Sequence, residues 1–378
     1  MSDLKIGPRL QPRPVTATAE TASVMAPGAS QTSQVAPAAP TAPVAALFSG
    51  TALPAAQGRQ PGTLKPHEAL MFAMQPTGTR PSYDSFQDAF AAVVGPKAIG
   101  DLKAALGNKP IVLIAGDQCT GKGTAAEGVV AALGGANTGT GTVLRALAKE
   151  NGLTIEQMSA MLSGKSVEVK DAAGNARAVS LKDFPHLGTA EDVDVRLDFR
   201  AATAIASSTL KKADDSTIDI TVFESRLAGH LGQFLEGIGR ENIVSVYLYA
   251  APRVQAERYL EREVFGPALA LPGADKDAVI ASKATANAML GHLSDDVGLG
   301  DCLNMLVQAN IPGLDSLSAK ISGIAGRDVN DKSRLLGLYG VDYQDRSAFD
   351  VVVDTNGKTP DQVKAAILAA VQEKTAAS

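Results

Sequence analysis

A glycine-rich segment carries the clearest chemical signal in this sequence. It fits the pattern G-x-x-x-x-G-K and reads Gly116-Asp117-Gln118-Cys119-Thr120-Gly121-Lys122-Gly123-Thr124. Glycines let the backbone wrap so that several N–H groups point at one anion, and a neighbouring lysine adds a full positive charge. The segment therefore predicts a loop that binds nucleotide phosphates, in which Lys122 reaches the outer phosphates and Thr124 faces a magnesium ion.

The stretches on either side of this segment match what such a loop requires. Five consecutive apolar residues, 111–115, precede it, and a helical stretch over 125–133 follows it. A short continuous apolar run is typical of a strand that is buried on both faces of a parallel sheet. A helix that begins directly after the loop would add the partial positive charge of its N-terminus.

Strand-like and helical stretches alternate along the rest of the chain. Three further strands are predicted over 218–223, 243–249 and 349–353. Helices are predicted over 84–104, 143–163, 194–211, 227–238 and 252–263, and a last helix begins at the capping box Thr359-Pro360-Asp361-Gln362, with Val363, Ile367 and Val371 on one face. This alternation predicts an α/β fold with a parallel sheet. Ligands of such sheets bind beyond the carboxyl ends of the strands.

Arginines recur at the ends of these predicted elements. Arg258 and Arg262 are four residues apart, so on a helix both guanidinium groups lie on one face and can converge on one polyphosphate. Any one of the arginines alone would more often be a solvated surface charge. Together they indicate a phosphate site, and the set comprises Arg145, Arg226, Arg258, Arg262, Arg327 and Arg334.

Several segments resemble the nucleoside monophosphate kinases and, among these, the archaeal-type cytidylate kinases. Lys-Gly-Thr within the loop is typical of these kinases rather than of GTPases. The order and spacing of further segments carry the resemblance over roughly 108–375. These segments are Thr140-Gly141-Thr142-Val143-Leu144-Arg145-Ala146, Asp194-Val195-Arg196-Leu197-Asp198-Phe199-Arg200, Phe223-Glu224-Ser225-Arg226-Leu227-Ala228-Gly229, residues 327–334 and residues 338–350.

The resemblance implies a P-loop NTPase fold, with three α/β/α layers, that transfers a phosphoryl group from ATP and Mg²⁺ to a nucleoside monophosphate, with CMP or dCMP favoured. It implies that residues 116–124 hold ATP and that Thr124 and Glu224 hold magnesium through water. The implied acceptor-binding residues are Thr140, Gly141, Arg145, Asp198, Arg200, Glu224 and Arg226. The implied catalytic residues, which stabilise the moving phosphoryl charge, are Lys122, Arg226, Arg258, Arg262, Arg327 and Arg334.

The chain departs from the family pattern at three positions and in two longer segments. Thr142 stands where the family has an acid, and Ser225 and Cys119 stand where it has glycines. Residues 264–326 replace a short lid and predict a small helical subdomain. Residues 164–190 predict a second, smaller insertion beside the monophosphate site. Because both insertions flank substrate sites, the base of the acceptor stays open.

Residues 1–66 differ in composition from the rest of the chain. They hold half of the 20 prolines and one aromatic residue, Phe48. Such a segment cannot bury enough apolar surface to offset the entropy lost on ordering. We predict a disordered tail over 1–66 and a nucleoside monophosphate kinase-like domain over 67–378. The tail is interpreted as a linker, with a secretion leader or a partner-docking arm as the alternative.

Composition also bears on partners and location. The net charge of −5 argues against a general binder of nucleic acid or of anionic membranes. Cys119 and Cys302 are too few for a disulfide framework, and no run of 18 apolar residues predicts a membrane span. We expect a cytoplasmic monomer that binds a nucleoside monophosphate and neither nucleic acid nor membrane, although a leader in the tail would allow secretion.

Three functions remain open on the sequence. The first is a cytidylate kinase-like enzyme, with AMP or UMP as nearby alternatives to CMP. The second is a catalytically degenerate kinase fold that acts as a nucleotide-dependent interaction protein, which the tail, the 264–326 segment, Thr142 and Ser225 motivate. The third is a kinase of another small phosphorylated acceptor, because Arg145 and Arg226 suit any phosphate-bearing molecule.

Overall fold

The computed structural model describes residues 83–377, apart from 171–173, 212–215, 296 and 315–316. The segment predicted to be a disordered tail, residues 1–66, lies outside the described residues. Within these limits, no helix combines the length and the apolar composition needed to cross a bilayer.

The strands of the described residues form a central sheet and a separate hairpin. Their bounds are β1 Ile111–Gly116, β2 Ala136–Gly139, β3 Val167–Lys170, β4 Ala176–Val179, β5 Thr209–Lys211, β6 Thr217–Glu224, β7 Ile243–Tyr249 and β8 Val351–Asp354. Five strands pair in parallel in the order β2-β6-β1-β7-β8, and β5 pairs antiparallel with β6. The antiparallel hairpin β3–β4 lies within the predicted insertion 164–190.

Helices cover both faces of this sheet. Their bounds are α1 Phe86–Val93, α2 Ala98–Ala104, α3 Lys122–Leu133, α4 Thr140–Glu150, α5 Ile155–Leu162, α6 Ala190–Ser207, α7 Ala228–Gly237, α8 Pro252–Leu260, α9 Gly266–Ala270, α10 Lys276–Gly291, α11 Leu299–Gln308, α12 Ser318–Tyr339 and α13 Pro360–Ala377. A π-helical turn, Glu261–Phe265, follows α8. The predicted α/β fold with a parallel sheet is confirmed.

Alternate residues of β1 enter two different cores, because successive side chains of a strand point to opposite faces. Leu113 packs with α1, α6 and α7, whereas Val112 and Ile114 pack with α3 and α13. All six residues of β1 are buried. The continuous apolar run 111–115 follows from this burial on both faces, and the carboxyl end of β1 delivers the glycine-rich loop to one edge of the sheet.

Three of the predicted helices have wrong boundaries. The stretch 84–104 is divided at Gly95, whose φ of +133° is left-handed, and at Pro96. The stretch 143–163 is divided where Thr154 caps α5 through a capping box with Gln157. The stretch 194–211 ends as helix at Ser207, and its last residues pair with β6 as β5. Local capping and strand pairing therefore override the helical periodicity.

The start of the last helix is confirmed. The backbone N–H of Thr359 donates to the Gln362 side chain at 2.9 Å, and the N–H of Gln362 donates to Thr359 Oγ1 at 3.3 Å. Val363, Ile367 and Val371 are buried against the sheet. The predicted capping box thus fixes the start of α13, and the predicted apolar face packs this helix against the sheet.

Residues 252–324 form a helical subdomain with its own core. Its apolar side chains include Leu260, Phe265, Leu290, Leu303 and Ile321, all buried. Helices α8, α10 and α11 and the first turns of α12 contribute to this core. The helical structure predicted for 264–326 is therefore present in the described residues, and the subdomain begins at α8.

Candidate functional site

The glycine-rich loop connects β1 to α3 by a turn that requires glycine at its entry. Gly116 has a φ of +145°, and a Cβ at this position would lie 2.3 Å from the carbonyl oxygen of Leu248. Gly121 has a φ of +91° and is followed directly by the first residue of α3. Cys119 occupies the left-handed region at φ 57°, an uncommon conformation for a residue with a side chain. The loop is therefore tightly wrapped.

The backbone of this loop presents a row of unused donors. Within the described part of the chain, the N–H groups of residues 118–124 donate to no acceptor, and the first bond of α3 is from Ala125 N–H to Gly121 O. These groups lie at a helix N-terminus, where partial positive charge accumulates. The arrangement is suited to an anion with several oxygens.

Lys122 is bent back over the loop. Its Nζ donates to the carbonyl oxygens of Gly116 at 2.9 Å and of Asp117 at 2.5 Å. Burial lowers the pKa of Lys122 to about 8, and the positive charge of Arg226 acts in the same direction. An anion in the cradle would favour the charged lysine and draw it away from these carbonyl groups.

A cavity of about 560 Å³ opens on the loop. It brings together residues that are far apart in the sequence, because the loop, the end of β6, α8 and the segment after β8 all meet at one sheet edge. Of the predicted site residues it is lined by Cys119, Thr120, Gly121, Lys122, Gly123, Thr124, Glu224, Arg258 and Arg262. Gly116, Asp117 and Gln118 form the entry to the loop and do not line the cavity.

Two arginines of α8 and its continuation face this cavity. Arg258 donates to Cys119 O at 3.3 Å and to both oxygens of Thr355, at 2.9 and 2.8 Å. Arg262 lies in the π-helical turn and pairs with Glu263 at 2.7 Å. Arg258 thus links the loop to the segment after β8, whereas Arg262 stays mostly exposed and available to a ligand.

Glu224 lies at the carboxyl end of β6, beside Lys122 and Thr124 in the cavity lining. Its Oε1 accepts a hydrogen bond from Asn137 Nδ2 at 2.7 Å. A carboxylate and a hydroxyl beside a phosphate cradle are the oxygen donors that Mg²⁺ prefers, usually with retained water. The residues present therefore fit a magnesium ion that is shared with a bound polyphosphate.

Arg226 is enclosed by carboxylates. Its guanidinium lies 2.5 Å from Asp328, 3.3 Å from Asp331 and 3.8 Å from Asp117. It also donates to Tyr343 Oη at 3.0 Å and stacks 5.0 Å from the centre of that ring. Burial lowers the pKa of Arg226, but Tyr343 and then the three acids outweigh it and raise this pKa further above its usual value, so the arginine remains a cation.

Asp117 points into the protein from the second position of the loop. Its carboxylate accepts from Gln344 Nε2 at 2.8 Å, from Tyr343 Oη at 3.2 Å and from Tyr247 Oη at 3.3 Å. Burial raises the pKa of Asp117, with Asp328 adding to the effect. The acid therefore sits behind the phosphate cradle and connects the loop to Arg226.

The start of α4 presents the residues predicted to bind the acceptor phosphate. Thr140 Oγ1 is buried and, among the described residues, makes no hydrogen bond, as is also true of Thr138 Oγ1. Gly141 and Arg145 follow on the same helix. Arg145 is exposed, and among the described residues its guanidinium makes a single hydrogen bond, a donation to Thr142 Oγ1 at 3.3 Å. This guanidinium is free to take an anion.

The structure separates Asp198 from Arg200, although both lie on α6. Asp198 is buried and accepts from Tyr339 Oη at 2.7 Å. Burial raises its pKa to about 7, against the opposing charge of Arg334. Arg200 instead forms a two-point pair with Glu150 of α4, at 2.9 and 2.8 Å, and lines a different cavity.

Helix α12 carries both Arg327 and Arg334. Arg334 pairs with Asp194 of α6 at 3.1 Å and lies 3.6 Å from Asp331. Arg327 is exposed and has no ion pair within the described ranges. Gln118 of the loop donates to Ile324 O at 3.0 Å, one turn before Arg327. The loop and α12 are therefore in direct contact.

Several residues at the site were not singled out from the sequence. Thr355 and Lys358 line the cavity directly after β8, and the rule that ligands bind at strand ends could have found them. No sequence pattern marked Tyr343 as a residue that contacts Arg226. Ser225 is buried, and its Oγ accepts from Leu227 N–H at 3.1 Å, so its side chain caps the next turn instead of entering the site.

No protein-family model matches the chain. Over 48 residues the chain is 42% identical to a cytidylate kinase of Pyrococcus furiosus, a stretch that makes up 13% of this chain and 25% of that protein. The match therefore spans about a quarter of the relative's length. Among solved structures, an uncharacterized protein from Eubacterium ventriosum is similar over 70% of this chain and 99% of its own, with 10% identity and a TM-score of 0.31, which is too low to argue a shared fold. The similarity to a nucleotide kinase is thus local.

Proposed function

We propose that this protein is a nucleoside monophosphate kinase that transfers a phosphoryl group from ATP to CMP or dCMP. The observation that carries the proposal is the row of unused N–H donors at residues 118–124. Residues 119–124, including Lys122, line one cavity together with Arg258 and Arg262. The local similarity to a cytidylate kinase and the family-like segments favour this acceptor.

In the proposed reaction, the loop and Lys122 bind the ATP phosphates. Thr124 and Glu224 hold magnesium through water, and the ion, when bound, supplies charge neutralisation between phosphate oxygens. Arg258 of α8 and Arg262 of the π-helical turn after it approach the same phosphates. Little covalent chemistry is required of the protein, because positioning and charge neutralisation dominate phosphoryl transfer.

The acceptor monophosphate is proposed to lie between α4 and α12. Arg145 has no competing acid, and Arg226 faces the loop from the carboxyl end of β6. Arg327 and Arg334 approach from α12. Two guanidinium groups on one phosphate hold it in line with the donor and give the bidentate geometry that a lysine cannot provide.

One observation favours the degenerate-scaffold alternative. Arg226, which the enzyme needs for phosphate, is held by Asp117, Asp328 and Asp331. If these carboxylates never release it, the protein binds ATP without turnover. The two functions therefore differ in whether an acceptor stimulates ADP release.

A coupled ADP-release assay on the full chain, with CMP, dCMP, UMP, AMP and GMP as acceptors, tests the proposal. We expect CMP and dCMP to give the highest turnover. Lys122→Ala should abolish turnover without unfolding the protein, whereas Lys109→Ala, which removes an exposed lysine paired with Asp219, should leave it unchanged.

If the protein binds ATP but no nucleotide stimulates ADP release, the kinase proposal is wrong and the degenerate-scaffold alternative is favoured. Stimulation by a different phosphorylated compound alone would show another acceptor. Normal turnover in Lys122→Ala would contradict the loop assignment itself.

A further inference from the structure

A second cavity, of about 440 Å³, shares no lining residue with the cavity at the loop. It lies between α4 and α6 and the segment that enters α6. Apolar surface comes from Leu147 and Phe199, and polar groups come from Glu150, His186, Arg196 and Arg200. Its volume falls within the range of pockets for small organic ligands, roughly 300–1,000 Å³.

Arg196 is the unusual group in this cavity. Its Nε is buried and donates to no acceptor, and within the described ranges the guanidinium has no hydrogen bond or ion pair. Arg240 and Arg253 also have a buried Nε without an acceptor, but Arg240 donates to Ser208 and Arg253 pairs with Asp295. The Arg196 side chain as a whole is half-buried, so its charge lies at the cavity without a counter-ion among the described residues, and an anion in the cavity would supply the missing acceptor.

The other polar groups of the cavity already have partners. Arg200 and Glu150 neutralise each other through two hydrogen bonds. Asn151 donates from Nδ2 to Leu147 O at 2.8 Å, so its Oδ1 accepts from His186 Nε2 at 2.7 Å. One net positive charge, that of Arg196, is therefore left facing the cavity.

This cavity is distinct from the proposed acceptor site. The α6 residues that face α12, Asp194 and Asp198, contact Arg334 and Tyr339 and do not line it. Arg145 and Arg226 do not line it either, and Arg200, which the resemblance assigned to the acceptor, lines it but is already paired with Glu150. The cavity thus uses a separate face of α6.

We propose that this cavity binds a small molecule in which one anionic group, a carboxylate or a phosphate, is attached to an apolar body. The anion pairs with Arg196, and the apolar body lies against Phe199 and Leu147. This inference goes beyond the proposed kinase activity and does not depend on it, because no residue of the loop takes part.

Titration of the full chain with phenyl phosphate and with benzoate tests the proposal by calorimetry. Arg196→Met keeps the length and the apolar surface of the side chain and removes the charge. Arg177→Met, at an exposed arginine of β4, is the matched control. Lys122→Ala removes the competing phosphate site at the loop.

We expect one saturable site in the wild type. Arg196→Met should raise its dissociation constant about tenfold or more, because one charge-assisted hydrogen bond is lost. Arg177→Met and Lys122→Ala should retain it. Binding of phenyl phosphate alone identifies a phosphate ligand, and binding of benzoate as well identifies a carboxylate ligand. The melting temperature of unliganded Arg196→Met should equal that of the wild type, because Arg196 makes no hydrogen bond or ion pair within the described residues that the substitution would remove.

Three results would overturn the proposal. The first is the absence of saturable binding of either probe at millimolar concentration. The second is binding that Arg196→Met leaves intact or that Lys122→Ala abolishes. The third is a fall in the melting temperature of Arg196→Met, which would give Arg196 a structural role.

Discussion

At the scale of single residues, the surroundings of Arg226 set the main constraint on the proposed chemistry. This guanidinium is mostly buried and is shared by acids from two elements: Asp117 from the loop, and Asp328 and Asp331 from α12. A phosphate that approaches Arg226 must replace at least one carboxylate. The acids on α12 therefore compete with the acceptor for the same donor groups.

Asp328→Asn should lower the KM for CMP about fivefold, because a neutral amide competes less well for Arg226, a difference of about 1 kcal/mol. The ADP-release assay measures this change. Asp361→Asn, at an exposed acid of α13, is the control and should leave KM unchanged. A rise in KM for Asp328→Asn would mean that the acid positions Arg226 instead of competing for it.

Asp198 gives the protein a specific dependence of stability on pH. Burial raises its pKa from 3.8 to about 7 in the folded state. Between pH 3.8 and about 7, Asp198 binds more protons in the folded state than in the unfolded state. Its contribution to the free energy of unfolding therefore falls as the pH rises through this range. Above about pH 7 the full cost of burying the charged carboxylate is present.

Asp198→Asn should therefore stabilise the protein more at pH 8 than at pH 5, relative to the wild type. Asparagine removes the titration and still offers Tyr339 Oη an acceptor. Urea unfolding at the two pH values measures the difference. Asp101→Asn, at an exposed acid of α2, should show no such dependence. Equal effects of Asp198→Asn at both pH values would contradict the raised pKa.

At the scale of elements, α12 joins two cores. Its first turns pack Ile321 and Ile324 into the helical subdomain, and its last turns pack Leu335 and Leu338 against the sheet layer. Arg327, Asp328, Asp331 and Arg334 lie between these two ends. The residues that surround Arg226 are therefore carried by the part of the helix that spans the two cores.

Leu303→Ala should destabilise the helical subdomain by about 2–5 kcal/mol, because Leu303 is fully buried in its core. Hydrogen exchange measures where the effect lies. We expect faster exchange in α10 and α11 and little change in β1 and β7. Uniformly faster exchange across the sheet would show that the two cores unfold as one unit.

Thr359→Ala should destabilise α13 by about 1 kcal/mol through the loss of an N-cap. The Thr359 hydroxyl accepts from Gln362 N–H, and alanine leaves that donor without a protein partner. Urea unfolding measures the change in the free energy of unfolding. Thr285→Ala, within α10, removes a hydroxyl that bonds only to its own helix and should cost less; an equal cost for both would argue against the cap.

At the scale of the whole molecule, the two cavities are formed by different elements and share no lining residue. The cavity at the loop lies at the carboxyl edge of the sheet, where strands β1, β6 and β8 deliver their following residues. The cavity at Arg196 lies between α4 and α6. The two proposed ligands, a polyphosphate at the loop and a second anion at Arg196, would therefore occupy separate sites.

Deletion of residues 1–66 should leave both the melting temperature and the turnover of the protein unchanged. The segment has few large apolar side chains that could pack on the rest of the chain. Differential scanning calorimetry and the ADP-release assay compare the deletion with the full chain. A clear fall in melting temperature would show that the segment packs against the body.

Several features could be predicted from the sequence because their causes are local. The five apolar residues before the loop required a strand buried on two faces, and the structure confirms it. The Thr359 capping box fixed the start of α13 for the same reason. Helix ends at Gly95 and Thr154 were missed, although both carry local signals, because apolar periodicity continues across them.

Only the tertiary structure decided which charges meet. Asp117 and Asp328 are more than 200 residues apart, and no local pattern predicts that both contact Arg226. Asp198 and Arg200 are two residues apart in one motif, yet the helical turn sends them to different faces of α6. Residue type and spacing along the chain determine which local structure a segment forms and which chemistry its side chains offer. The packing of α4, α6 and α12 determines which partner each charged side chain contacts.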